Sequence, residues 1–128
     1  MSRQADVALV TGELVISAAV APFQGATAHL YLEDISYADA PAVVLADATI
    51  ADLRHDPSAT SDGDTVVPFA LRARPSSPIA RRNDYAVRAW VDRDSDGTTG
   101  PADLFSDQSY RVLTQGFGST VTIRLGPD

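Results

Sequence analysis

Apolar and polar side chains alternate along this chain over short stretches, and turn residues separate the stretches. No stretch sustains a helical period, so the pattern predicts strands throughout. Val10, Leu14 and Ile16 share one face of a first strand over residues 8–17, which the turn Pro22-Phe23-Gln24-Gly25 closes. A second strand, 27–35, points Ala28, Leu30 and Leu32 inward and His29, Tyr31 and Glu33 outward. The apolar run over 42–50 predicts a third strand, partly covered on both faces, and the Asp-, Ser- and Thr-rich stretch 51–64 a polar loop. In the fourth, 65–72, Val67, Phe69 and Leu71 face the core, while Pro68 on the opposite side marks an edge or a bulge. Residues 75–83 form a loop with at most one helical turn, anchored by Ile79. The fifth strand, 85–92, sets Tyr85, Val87, Ala89 and Val91 against Arg88 and Trp90. Strands over 108–114 and 120–125 complete the set, joined by Gln115-Gly116-Phe117-Gly118, with Val121, Ile123 and Leu125 inward.

About seven short strands with no helix between them predict an all-β, mostly antiparallel sandwich of the immunoglobulin or transthyretin kind. A chain of 128 residues supports one domain with a real core. The expected unit is therefore residues 1–128, with about 1–7 as a flexible N-terminal tail.

Charge narrows the partners. A net charge of −7 opposes nucleic-acid binding, which needs a concentrated basic face, and opposes docking on an anionic membrane. There is no cysteine for a disulfide or a lipid anchor, and no apolar run of membrane-spanning length. As written the chain is expected in the cytoplasm; with a leader removed, the expected place is the cell envelope or periplasm. The pattern leaves the oligomeric state open, since an exposed edge strand serves a dimer or a partner strand equally well.

One stretch carries candidate chemistry. Asp92, Asp94, Asp96 and Asp103 occupy positions one, three, five and twelve of a twelve-residue window, with Gly97 at six. This is the ligand spacing of a calcium loop, in which position seven, here Thr98, adds a backbone carbonyl. Oxygen ligands suit a hard cation, and no cysteine or histidine stands nearby to favour zinc. The expected ligands for Ca2+ are thus Asp92, Asp94, Asp96, Thr98 and Asp103, in a strand–loop–strand setting unlike the helices of an EF-hand. Asp103 is shorter than the glutamate that usually closes such a loop, and Pro101 restricts the return segment. The competing reading is a solvated turn whose aspartates cap their own backbone.

Other polar residues suggest less. His29 belongs on an outer strand face and His55 in a loop beside Asp56-Pro57; no G-x-S-x-G motif accompanies them, so a hydrolase is disfavoured. Asp34 and Asp39 flank Ser36 and shape a connection. Trp90, Tyr31 and Tyr110 could line an aromatic patch, although ordinary cross-strand packing accounts for them more simply.

Short pieces along nearly the whole chain resemble a known family. They are Val10-Thr11-Gly12, the run from Ala28 through Leu30 and Glu33 to Ser36, Ala38-Asp39-Ala40-Pro41, Val67-Pro68-Phe69, Tyr85-Ala86-Val87-Arg88-Ala89 and Tyr110-Arg111-Val112-Leu113-Thr114. In this order they are similar to the YbaY-like lipoproteins, related to the YscW-type chaperones (pilotins) of type III secretion. The resemblance implies a non-enzymatic β-sandwich of the bacterial envelope that helps assemble an outer-membrane protein partner. Members carry a leader and a lipidated cysteine, and this sequence has no cysteine. The reading is then a binding or assembly module with a structural calcium loop. Its rivals are a purely structural domain of a larger assembly with a solvated acidic loop, and an uncharacterised hydrolase.

Overall fold

A computed structural model describes residues 7–36, 40–73, 79–98, 100, 103–106 and 109–126. Expectations for the tail before Val7, for Asp39, for 75–78, for Pro101 and for Gln108 lie outside the described residues.

Eight strands are present: β1 (Val7–Ile16), β2 (Phe23–Asp34), β3 (Val43–His55), β4 (Thr65–Ala73), β5 (Tyr85–Asp92), β6 (Leu104–Phe105), β7 (Tyr110–Val112) and β8 (Thr120–Leu125). They form a three-stranded sheet in the order β4-β1-β8 and a five-stranded sheet in the order β3-β2-β5-β6, with β7 also on β5. β6 and β7 divide one edge of β5 between them, β6 beside Trp90 and Val91, β7 beside Tyr85 to Val87. Pairing is antiparallel except between β1 and β8. Parallel neighbours need a long connection, and here the intervening strands of the sandwich provide it. No helix occurs among the described residues.

The core lies between the sheets. Leu14, Ile16, Leu71, Ile123 and Leu125 enter it from the three-stranded sheet, and Leu30, Leu32, Tyr85, Val87 and Val91 from the other; all are fully buried. Their alternation along each strand is the one the sequence predicts, because only every second side chain can reach the facing sheet. Val67, Ile79 and Val121 pack against this cluster from its margin. Gly12 is paired on one side with Phe69 and on the other with Val121. A Cβ there would lie 1.9 Å from the Val121 carbonyl oxygen and 2.9 Å from the Phe69 ring. The missing side chain thus admits both the parallel neighbour and the aromatic ring.

The strand expected over 108–114 ends at Val112, and three further departures from the expected elements bear on the fold. β3 continues past Ile50 to His55, where a polar loop was expected. The β2–β3 register shows why: Ala28 faces Ile50, but Ala26 faces Leu53, so β3 spends an extra residue. Asp52 adopts a left-handed φ of 54°, and the inward positions shift from Ala46, Ala48 and Ile50 to Leu53 and His55. A single bulge therefore hides the strand from a period-2 search. β2 likewise starts at Phe23, within the expected turn, because Phe23 pairs with His55. The third difference is β6, a two-residue strand beyond the seven expected. Pro68 sits in regular register opposite Glu13 on β4, an edge strand, so the edge rather than a bulge accommodates it.

Candidate metal loop and the adjoining aromatic face

The acidic loop starts at Asp92, the last residue of β5, which pairs with Thr27 and is 1% exposed. Its Oδ2 accepts the Gly97 N–H at 2.8 Å, while Oδ1 is buried with no hydrogen-bond donor. Asp92, Asp94 and Asp96 each offer a carboxylate oxygen, and the three lie within 4.8 Å of one another. Gly97 (φ 82°) and Ser95 (φ 54°) supply the tight reversal that makes them converge. Ser95 fastens the loop to the start of β2: its hydroxyl donates to the Gly25 carbonyl at 2.6 Å and meets the Thr27 hydroxyl at 2.8 Å.

Convergence and self-capping coexist in this loop. The Asp96 N–H reaches Asp94 Oδ1 at 3.4 Å, and the Thr98 N–H donates to Asp96 Oδ1 at 3.0 Å. The neighbouring Asp92 carboxylate pushes the exposed Asp94 carboxyl above its ordinary pKa. The Thr98 N–H holds Asp96 below its ordinary value.

Asp103 is not brought into the cluster. Its Oδ1 accepts the Arg93 N–H at 3.1 Å; its Oδ2 accepts the Gly100 N–H and the Trp90 indole Nε1–H, both at 3.0 Å. The cause is β6, which begins at the next residue and pairs with Trp90 and Val91, holding Asp103 beside Trp90. Of the five residues expected as ligands, three carboxylates gather. Thr98 lies exposed on the loop, and Asp103 clasps the loop's two ends.

Beside the loop, the outer face of the five-stranded sheet carries an aromatic ladder. Trp90 is opposite both His29 and Phe105 in the strand register. Its ring stacks on His29 at 4.5 Å between centroids, with Phe105 on the other side at 6.4 Å. Tyr31 follows His29 at 6.4 Å, and the Arg88 guanidinium lies 4.3 Å over the Tyr31 ring. Arg88 also pairs with Glu33 at 3.1 Å. Ordinary cross-strand packing accounts for the ladder. Tyr110 stands apart from it, its hydroxyl donating to the Arg124 carbonyl and accepting the Arg124 N–H, each at 3.2 Å. Phe105 and His29 were not foreseen in the patch. His29 next to Tyr31 on the outward face was the available signal; Phe105 lay in a stretch assigned to no element.

The remaining polar candidates are structural. His55 is a buried core residue at the end of β3 rather than a loop residue. Its Nε2–H donates to the Val20 carbonyl at 3.0 Å, which leaves Nδ1 to accept the Thr65 hydroxyl at 2.7 Å. Asp34 ties together the connections at one end of the sandwich: Oδ1 accepts the Ser36 N–H and hydroxyl, and Oδ2 the Asn83 amide. Burial acts to raise the Asp34 pKa, yet the hydrogen bonds from Ser36 and Asn83 together outweigh it and hold the group below its ordinary value.

A family model described as Type III secretion system lipoprotein chaperone (YscW) matches residues 5–125. The chain is also similar to a solved alternative pilotin from the type II secretion system of Vibrio cholerae, at a TM-score of 0.65 and 22% sequence identity. That similarity covers 93% of this chain and 96% of the pilotin chain, and at this identity it shows a shared fold. No curated protein sequence matches. The YbaY-like pieces of the sequence are consistent with the family match, which spans nearly the whole chain: the protein belongs to the YscW family of type III secretion system lipoprotein chaperones.

Proposed function

We propose that this protein is a non-enzymatic envelope module that binds a protein component of a secretion assembly and assists its placement in the outer membrane. The observation that carries this reading is the match of a lipoprotein-chaperone family across residues 5–125. The pilotin fold of the solved relative supports it. The partner is protein rather than nucleic acid, because a net charge of −7 works against a polyphosphate backbone. Deleting the gene and following the assembled outer-membrane oligomer by native electrophoresis tests the role. Loss of the oligomer, restored by the wild-type gene, is the expected result; an unchanged oligomer overturns it.

A second element of the reading is a calcium ion held in the β5–β6 loop, where it acts structurally. The donor-less, buried Asp92 Oδ1 favours this over a simple solvated turn, since a buried carboxylate oxygen without a partner is costly.

A further inference from the structure

Asp103 closes the acidic loop without joining its carboxylate cluster, and that places it between two features otherwise separate. On one side are Asp92, Asp94 and Asp96, three carboxylates within 4.8 Å that repel one another. On the other is Trp90, stacked between His29 and Phe105 in the aromatic ladder. Among the described residues, contacts fasten the loop at several points. Ser95 is tied to Gly25 and Thr27, Arg93 and Gly100 are both held by the Asp103 carboxylate, and β5 and β6 anchor the ends. Arg93 lies between Asp92 and Asp94, so a backbone adjustment that alters their spacing reaches Arg93. Arg93 N–H is one of the three donors on Asp103; the Trp90 indole N–H is another.

We propose that a hard divalent cation of the calcium class, bound by Asp92 Oδ1 with Asp94 and Asp96, acts through the Asp103 clasp on Trp90 and so sets the geometry of the aromatic ladder. This rests on the calcium reading above. Asp92 Oδ1 is the ligand atom because Oδ2 is already committed to Gly97 and Oδ1 has no donor. A cation draws the carboxylates together, the loop tightens, and the three bonds to Asp103 shorten as a group. Asp103 is a positioning residue, not a ligand. Its charge-assisted bond to the indole transmits the change to the ring stacked on His29.

The experiment uses the full chain, with calcium and magnesium chloride as probes at neutral pH, and reads two signals in parallel. Calorimetry reports binding, and the emission and indole N–H resonance of Trp90, the chain's one tryptophan, report the coupling. Calcium is expected to bind with a dissociation constant of about 0.1–1 mM, the range of extracellular modules, and more tightly than magnesium. Both Trp90 signals should follow the same isotherm. Asp94→Asn/Asp96→Asn should lose the binding heat and the Trp90 response together. Asp103→Asn should bind calcium within about threefold of wild type while its Trp90 response falls by more than half. No heat up to 10 mM calcium removes the cation site and the coupling with it. Heat without movement of the wild-type Trp90 resonance leaves the site standing and overturns the coupling. If Asp103→Asn is unfolded by circular dichroism, that wild-type resonance decides alone.

Discussion

Leu53 is the residue on which a linear and a three-dimensional reading disagree most. As part of a polar loop its truncation costs almost nothing; as an inward residue after the Asp52 bulge it is 5% exposed and belongs to the core cluster. Leu53→Ala removes most of a buried side chain at a site facing Ala26, whose backbone restrains collapse. Such truncations cost about 2–4 kcal/mol, the cavity included. With a urea dependence of about 1.5 kcal/mol/M for a chain of this size, the midpoint should fall by roughly 1.3–2.7 M. The melting temperature should fall by about 8–16 °C at about 4 °C per kcal/mol. Val44, on the same strand but 45% exposed, is the control: Val44→Ala should change stability by at most about 0.5 kcal/mol. Urea titration followed by circular dichroism measures both, with equal slopes required before midpoints are compared. Equal small effects of the two variants would mean that β3 ends near Ile50 and that the bulge is wrong.

Three further outcomes follow from the same structure. Asp52→Val, which puts a β-branched side chain at φ 54°, should destabilise by about 1–2 kcal/mol; a gain in the urea midpoint would instead argue for an unbulged strand. Gly12→Ala drives a Cβ to within 1.9 Å of the Val121 carbonyl, and should cost about 2–3 kcal/mol in urea unfolding by parting β1 from β8; a neutral result would refute the close parallel pairing. Asp34 titrates below its ordinary value, so its contribution is fully present above the unfolded carboxylate pKa of about 3.9 and is lost as pH falls through the lower folded value. The stability gap between wild type and Asp34→Asn, measured by urea at about pH 7, 5 and 2.5, should hold between the first two and shrink at the third. A gap independent of pH would mean that Ser36 and Asn83 do not stabilise the ionised form.

What the order of residues determined by itself was the class of fold and most of the core. Alternation at Leu30/Leu32, Val87/Ala89/Val91 and Ile123/Leu125 is satisfied by two sheets packed face to face, because only every second side chain of a strand can reach the facing sheet. It also determined the acidic spacing, since Gly97 and three aspartates two residues apart place three carboxylates about one tight turn. Tertiary structure decided what depends on pairing across the chain. A bulge becomes visible only against its partner strand, so the end of β3 and the burial of Leu53 and His55 follow from the register with β2. The parallel contact of β1 with β8 joins residues more than a hundred positions apart and leaves no local trace beyond Gly12. Asp103 is the clearest case. Its position in the window marks it as a ligand, but two residues of β6 pairing on β5 turn its carboxylate to Arg93, Gly100 and Trp90, because local spacing specifies reach and a neighbouring strand specifies direction.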